Sequence, residues 1–329
     1  MAQLTGRRSL RDTVDNLQAQ SHKLASLDVQ PLPRSTLARL NEDKPYTLYE
    51  DLFSQLLARC QGLAPGHGFR FKNKLISLDA STIDLCLSVF PWATFRRNKG
   101  AIKLHVGLDH EGYLPEFVTV TEGKVSDIIE ARKLSFPKAS IVVFDRAYTD
   151  YRWYAQLDQQ GVFFVSRLKS NARYRVVSRR SVPGGQGVTS DQGIEFTGIQ
   201  VKKKCPNTLR RIGYRDPETG KHYVFITNHR SLSAKTIADI YKARWRIELF
   251  FKWIKQNLKI KSFFGQSKNA VMTQIWIALC AYLLIAFLKF RSRIEKSMQQ
   301  IIRLLQLNLF DRRDLISLLR GDPTCAALC

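Results

Sequence analysis

Four side chains that together could bind and cleave a phosphodiester recur at helical spacing in the stretch Ile240–Lys261. Tyr241, Arg244, Glu248 and Lys255 stand at i, i+3, i+7 and i+14, and the stretch contains no Gly or Pro. At about 100° per residue they fall within roughly 60° of one face of a single amphipathic helix. One carboxylate among cations suits a metal ligand with phosphate-binding groups on both sides. The alternative is a solvated charged face, which the charges alone would favour.

The spacing Tyr-x2-Arg-x3-Glu-x6-Lys resembles the Tyr–Arg–Glu–Lys signature of the DDE transposases of bacterial insertion sequences, of the insertion sequence 4 type. The resemblance extends over roughly residues 70–290. It implies a ribonuclease H-like catalytic domain, two divalent metal ions, and DNA strand cleavage and transfer. It also implies that two aspartates lie upstream at strand ends, and that Tyr241, Arg244 and Lys255 contact DNA near the cleaved end.

Two aspartates meet that expectation. Asp79 ends the apolar run that begins at Leu75, and Asp145 follows the β-branched run Ser140–Phe144. In a mixed sheet of this element order the two strands lie side by side, so the carboxylates would repel each other unless a cation joined them. We therefore predict that Asp79, Asp145 and Glu248 are the catalytic residues and metal ligands, and that their carboxylates converge in one metal-sized cluster.

Each carboxylate also has an ordinary structural interpretation, since an aspartate at a strand end is usually a cap or turn residue. The joint occurrence of all three in this order favours the catalytic interpretation. Asp84 and Asp109 rank lower as ligands, because we predict one in mid-strand and the other in a hairpin turn.

Carboxylate oxygens suit two Mg²⁺ ions, with Mn²⁺ as a substitute. Two such ions activate a water or a 3′-hydroxyl and stabilise the leaving oxygen of an in-line displacement at phosphorus. This chemistry requires no protein nucleophile.

The composition limits the partners. Lys and Arg number 52 against 28 acids, a formal charge of +24, and this excess favours a polyanion, first of all nucleic acid. Six scattered cysteines without CxxC spacing argue against a disulfide framework or a structural zinc site, and a reducing cytoplasm fits. The apolar run Ile275–Phe287 is too short for a membrane span and predicts a buried core helix.

The pattern of periodicities predicts an α/β fold. It comprises a ribonuclease H-like mixed sheet with flanking helices, an all-β insertion before the last catalytic helix, and helical N- and C-terminal regions. The predicted regions are 1–63, helical and DNA-binding or simply a packing layer; 70–169 with 231–291, catalytic; 170–230, the β-rich insertion; and 292–329, C-terminal helices. In the family that this chain resembles, more helical sequence normally precedes the start of region 1–63, which leaves two alternatives for this region: a truncated form or an internal start.

The leading functional hypothesis is a transposase that acts in the bacterial cytoplasm, associated with the nucleoid when bound to DNA. Its partners would be double-stranded DNA, namely the inverted-repeat ends and the target, with a homo-oligomer assembled on that DNA and no membrane. One alternative is a nuclease on the same fold without strand transfer. The other is an inactive, transposase-derived DNA-binding protein, against which the intact Asp79, Asp145 and Glu248 argue.

Overall fold

The computed structural model describes residues 2–7, 9–25, 28, 30–96, 99–182, 184–311 and 314–321. The chain divides into two compact units. The first comprises residues 1–65, 82–102 and 250–329, and the second comprises residues 66–81 and 103–249. The end of the predicted C-terminal region, residues 322–329, lies outside the described residues.

The strands are β1 (Leu75–Leu85), β2 (Thr94–Arg96), β3 (Lys99–Asp109), β4 (Leu114–Glu122), β5 (Ile141–Val143), β6 (Phe163–Arg167), β7 (Tyr174–Arg179), β8 (Val188–Phe196), β9 (Leu209–Arg215) and β10 (His222–Thr227). The helices are α1 (Ala2–Thr5), α2 (Leu10–Ala19), α3 (Ser21–Leu24), α4 (Arg34–Asp43), α5 (Thr47–Gln61), α6 (Asp127–Ala131), α7 (Tyr151–Gln159), α8 (Ile199–Lys204), α9 (Ala234–Ala243), α10 (Trp245–Asn257), α11 (Lys268–Arg291), α12 (Met298–Asn308) and α13 (Leu315–Arg320).

In the second unit the strand order is β3-β1-β5-β6-β10-β9-β8-β7, with β4 on β3. The strands β1, β5 and β6 are parallel, whereas the pairs from β6 through β10 to β7 are antiparallel. The sheet is therefore mixed and carries helices, which agrees with the predicted ribonuclease H-like α/β class. The insertion extends this sheet and contains the helix α8. It is β-rich and not all-β as predicted, because Ile199–Lys204 close a helical turn on the way from β8 to β9.

Alternation along the central strands creates two cores. Ile76, Val142 and Phe164 point into one cluster, which α7 covers with Trp153 and Leu157. Their neighbours Leu75, Ile141, Val143 and Val165 point into the other, which α9 covers with Ala234, Ile237, Ala238 and Ile240. Since side chains alternate with a period of two, Asp79 has the same parity as Leu75 and faces the side of the sheet that α9 covers.

The predicted strand end at Asp79 is wrong. β1 continues without interruption to Leu85, so Asp79 lies in mid-strand. The parallel ladder with β5 reaches only Ser77↔Val143, however, so Asp79 lies just beyond the segment that pairs with β5. On its other side β1 is the neighbour of β3.

The prediction of one helix over 240–261 is also wrong. α9 ends at Ala243 and α10 begins at Trp245, with Arg244 in the turn between them. The backbone N–H of Arg244 donates to the carbonyl of Tyr241 at 3.2 Å, and that of Ile247 donates to Arg244 at 3.1 Å. These i→i−3 bonds replace α-helical ones and tighten the chain at this position.

The first unit is mainly helical and packs α5 against α11. Phe53 and Trp276 meet edge to face at 5.2 Å, and the Cys60 thiol donates to the carbonyl of Leu283 at 3.3 Å. α11 is long and apolar enough to cross a membrane by length and composition, but 78% of its most apolar window is buried inside the protein. It thus has the character of the core helix that the run Ile275–Phe287 predicted.

Candidate active site

Asp79 on β1 and Asp145 after β5 each lie two residues beyond the last pair of the β1–β5 ladder. That last pair is Ser77 with Val143. One carboxylate oxygen of Asp79 accepts the N–H of Ala80 at 2.8 Å. Asp145 caps a short 3₁₀ turn (Arg146–Tyr148) and accepts the N–H of Ala147 at 2.7 Å. Local backbone donors therefore orient both side chains at the same edge of the β1–β5 pair.

Arg244 joins Asp79 to Glu248. Its Nη1 donates to Oδ2 of Asp79 at 3.2 Å, and its Nη2 donates to Oε1 of Glu248 at 2.7 Å. The guanidinium is 14% exposed, so both ion pairs are shielded from water more than surface pairs are. The turn between α9 and α10 brings this side chain to β1, 165 residues away in sequence. We call Asp79, Asp145, Glu248 and Arg244 the carboxylate group.

The carboxylates influence one another electrostatically. Burial raises the pKa of Asp79 to about 6; the charges of Asp145 and Glu248 add to this rise, while the Ala80 N–H and Arg244 oppose it. Asp79 thus lies where an additional positive charge would stabilise its ionised form.

The predicted convergence into one metal-sized cluster is not what the structure contains. In the described part of the chain, no three His, Cys, Asp or Glu side chains lie together in an arrangement ready to hold a metal ion. The guanidinium of Arg244 bonds to both Asp79 and Glu248 instead. The donor set still fits a hard divalent cation, because it consists of carboxylates, one of them half-buried with a raised pKa.

The predicted DNA-binding residues have differing surroundings. Tyr241 is half-buried on α9, and the centroid of its ring lies 4.9 Å from that of Phe225. Arg244 Cζ lies 5.7 Å from the centroid of the Tyr241 ring. Lys255 belongs to the first unit, where its ammonium donates to the carbonyl of Thr82 at 2.8 Å. Burial, foremost, lowers the pKa of Lys255.

The two aspartates ranked lower in the sequence lie elsewhere. Asp109 is buried at the end of β3, accepts the N–H of Glu111 at 2.9 Å and lies 3.4 Å from the ammonium of Lys74. Asp84 is exposed on β1 within the first unit. Asp109, predicted in a hairpin turn, is instead the last residue of strand β3.

Sequence reasoning missed Tyr148. Its ring is buried against Phe144, and burial raises the pKa of its hydroxyl, with further contributions from Asp127, Asp79 and Asp145. The phenol therefore stays protonated beside the aspartates. The available signal was the Asp-x2-Tyr spacing, which places Tyr148 at the end of the turn that Asp145 caps.

A mixed sheet with one aspartate on β1 and another directly after the neighbouring parallel strand β5, and with a glutamate linked to the first through an arginine, defines a ribonuclease H-like protein with an acidic site. Residues 70–284 match the family model described as "Transposase DDE domain". Because this match spans more than half of the chain, the chain belongs to the DDE transposase family. The insertion sequence 4 type fits this membership. Residues 1–30 match a domain of unknown function.

Curated relatives agree with the family. The "Putative transposase y4zB" of Sinorhizobium fredii is 31% identical over 305 residues, which cover 89% of this chain and 83% of that protein. The "Probable transposase for insertion sequence element IS5377" of Geobacillus stearothermophilus is 31% identical over 269 residues, covering 79% of this chain and 70% of that protein.

Among solved structures, the chain is similar to one in the cryo-EM structure of the piggyBac transposase synaptic complex with hairpin DNA. The TM-score is 0.47 at 12% identity, and the match covers 88% of this chain and 61% of that chain.

Proposed function

We propose that this transposase cleaves DNA at the ends of an insertion sequence and transfers the cut strand to new DNA, with Asp79, Asp145 and Glu248 as its catalytic residues. One observation carries the proposal: the β1–β5 ladder ends two residues before both Asp79 and Asp145, while Arg244 links Asp79 to Glu248. Three carboxylates from distant parts of the chain thereby belong to one electrostatic group.

A divalent cation, Mg²⁺ or Mn²⁺, would be held by the carboxylates of Asp79, Asp145 and Glu248. DDE transposases generally depend on such ions. When bound, they activate the attacking water or 3′-hydroxyl and stabilise the leaving oxygen. The protein supplies the donors and their orientation: the N–H groups of Ala80 and Ala147 hold the two aspartates.

Arg244 is the residue that changes partner in this proposal. Its five N–H donors form a fork that matches a phosphate as well as a carboxylate. A DNA phosphate at the site would accept the bonds that Asp79 and Glu248 accept here. The guanidinium would then position the phosphodiester, and both carboxylates would be released for their catalytic role.

Tyr241 and Lys255 complete the predicted contacts with DNA near the cleaved end. The formal charge of +24 supports a polyanionic partner. We expect that partner to be double-stranded DNA, first the paired inverted-repeat ends and then the target, bound in the bacterial cytoplasm by a homo-oligomer.

The test is a nicking assay on DNA that carries the inverted repeat flanking the gene, with Mg²⁺ or with EDTA. We expect Mg²⁺-dependent nicks at the repeat end, followed by joined products when target DNA is added. Nicks without joined products would identify a nuclease. Binding of the repeat without any nick would identify an inactive DNA-binding protein.

A further inference from the structure

A cleft separate from the carboxylate group opens beside the turn between α9 and α10, and none of the residues of that group lines it. Its volume is about 540 Å³, within the range of roughly 300–1,000 Å³ that is usual for small-molecule sites. Its walls are mainly aromatic and basic. We call it the Tyr113 cleft, and the side chains that matter here are Phe69, His110, Tyr113, Lys242, Trp245 and Arg246.

Tyr113 is held in a backbone conformation that L-residues rarely adopt. Its φ is +55°, directly after Gly112 at +67°, in the turn between β3 and β4. Two consecutive residues at positive φ favour Gly, Asn or Asp, and a bulky ring at such a position is uncommon. Strain of this kind occurs preferentially at functional sites. The ring is 38% exposed and lies 5.8 Å from that of His110.

Two cations and an open indole complete the cleft. The guanidinium carbon of Arg246 lies 5.2 Å from the Tyr113 ring centroid. Within the described residues, no carboxylate lies within ion-pair distance of Arg246. Lys242 has a solvent-exposed partner, Glu218, at 3.0 Å, which contributes little. Trp245 is 57% exposed, unusually open for so large an apolar side chain.

The cleft also has one acidic side chain, Asp239. Its carboxylate is bound by the ammonium of Lys235 at 2.5 Å, one turn earlier on α9. The remaining charge of the wall is therefore positive, and the ligand must combine a flat ring with a negative group.

We propose that the Tyr113 cleft binds single-stranded DNA, with a base stacked on the exposed ring of Tyr113 and the adjoining phosphates on Arg246 and Lys242. Stacking on aromatic side chains beside cations is how proteins bind unpaired strands without sequence preference. A duplex cannot stack a base on the Tyr113 ring, because the face of each base in a duplex is covered by the neighbouring bases. The inference rests on the proposed function only in taking DNA as the polyanion.

The experiment measures the affinity of the full chain for a fluorescein-labelled oligo(dT) strand and for a duplex of equal length, by anisotropy in EDTA. Tyr113→Gly removes the ring, and glycine adopts a φ of +55° without strain, so this variant keeps the fold. From the usual strength of base stacking, we expect its single-strand Kd to rise about 10-fold, with the duplex Kd unchanged. Tyr113→Phe should bind like the parent chain.

Arg246→Ala should likewise weaken single-strand binding. Its matched control is Arg291→Ala on α11, which removes the same charge and a comparable contact, since Arg291 lies 5.8 Å from the ring of Phe287. The control should bind the single strand like the parent chain.

Three results would overturn the inference. They are no single-strand binding by the parent chain, an unchanged Kd in Tyr113→Gly, and an equal loss of single-strand and duplex binding in that variant. Because EDTA excludes metal-dependent cleavage, a failure of the proposed catalytic function leaves this measurement intact. The nicking assay, conversely, does not require this cleft.

Discussion

The carboxylate group and the Tyr113 cleft are built on the same corner of the second unit by opposite means. Arg244 and Arg246 stand two residues apart. Arg244 is shielded and bonded to two carboxylates, whereas Arg246 is exposed and lies over an aromatic ring. Arg244 lies in the turn that ends α9, whereas Arg246 lies in the first turn of α10. Two identical side chains thus acquire different chemistry from the surfaces that they face.

The two sites also differ in how their residues are held. Asp79 is oriented by the N–H of Ala80 on β1, and Asp145 by the N–H of Ala147 in the turn after β5. Tyr113 is held by a strained turn at the end of a hairpin. A site built on paired strands tolerates little change of geometry, whereas a site on a turn accommodates ligands of variable sequence. These properties suit catalysis and non-specific strand binding, respectively.

The largest effect expected is on cleavage. Asp79→Ala, Asp145→Ala and Glu248→Ala should each abolish it, since losing one ligand of a metal site removes several kcal/mol of transition-state stabilisation, or roughly a thousandfold in rate. Binding of the repeat end should remain. The measurement is nicking and gel shift on the same DNA, with Asp84→Ala as control because Asp84 is an exposed acid of the same strand. Near-parental cleavage by any of the three variants would remove that residue from the site.

The next effect concerns the anchoring of α9, on which both sites depend. Arg210 and Asp191 form a bidentate ion pair at 2.8 and 2.6 Å, each 5% exposed, and Arg210 also donates to the carbonyl of Leu232 just before α9. Asp191→Ala leaves a buried guanidinium without its carboxylate, which should lower the free energy of unfolding by about 3–5 kcal/mol.

Urea denaturation measures this loss. The matched control is Glu195→Ala, which breaks the more exposed ion pair with Arg175 on the neighbouring strands and should cost much less than Asp191→Ala. Equal losses in the two variants would show that the Arg210 anchor is no stronger than a surface ion pair.

Acid should weaken the same anchor through His229. Burial, foremost, and the charge of Arg210 lower the pKa of His229 to about 4, below its usual value of 6.5. The unfolded chain therefore binds a proton that the folded chain excludes. The neutral His229 therefore contributes fully to the free energy of unfolding above pH 6.5. This contribution declines by about 1–3 kcal/mol as the pH falls toward 4.

The measurement is the free energy of unfolding at several pH values between 7 and about 4, the window set by these pKa values. His229→Asn should flatten the decline, because an Asn side chain binds no proton in this pH range. The variant keeps the local hydrogen bond, since the Asn oxygen can accept the N–H of Leu232 that His229 Nδ1 accepts. His222→Asn on β10, at an exposed position, should leave the decline unchanged. Identical curves for both variants would assign the acid sensitivity to other groups.

The smallest effect is on the salt dependence of DNA binding. If Arg244 and Lys255 each contact a phosphate, Arg244→Ala and Lys255→Ala should each lower the slope of log affinity against log salt by about one. Arg244→Lys should also weaken binding, because an ammonium cannot reproduce the guanidinium fork. Unchanged slopes for both alanine variants on a cognate end would mean that these residues serve only their present partners, Asp79, Glu248 and the carbonyl of Thr82.

The sequence by itself determined the features that depend on nearest neighbours. Asp145 was predictable as a carboxylate directly after a buried strand. The continuous apolar runs of β5 and β6 identified buried strands. The spacing from Tyr241 to Lys255 carried the family, and with it the DDE transposase class. Local periodicity is enough here, because helix and strand repeats are properties of short segments.

Only the tertiary structure decided how the distant residues meet. Nothing near Asp79 in sequence shows that β1 continues past it or that pairing with β5 stops at Ser77. The break at Arg244 was equally invisible, because the residues around it favour a helix. A tight turn at Arg244 interrupts the predicted helix, and the Arg244 side chain there forms an ion pair with Asp79, 165 residues away in sequence. The tertiary structure thus places Arg244 against the carboxylate of Asp79, and Arg246, at the start of α10, over the Tyr113 ring.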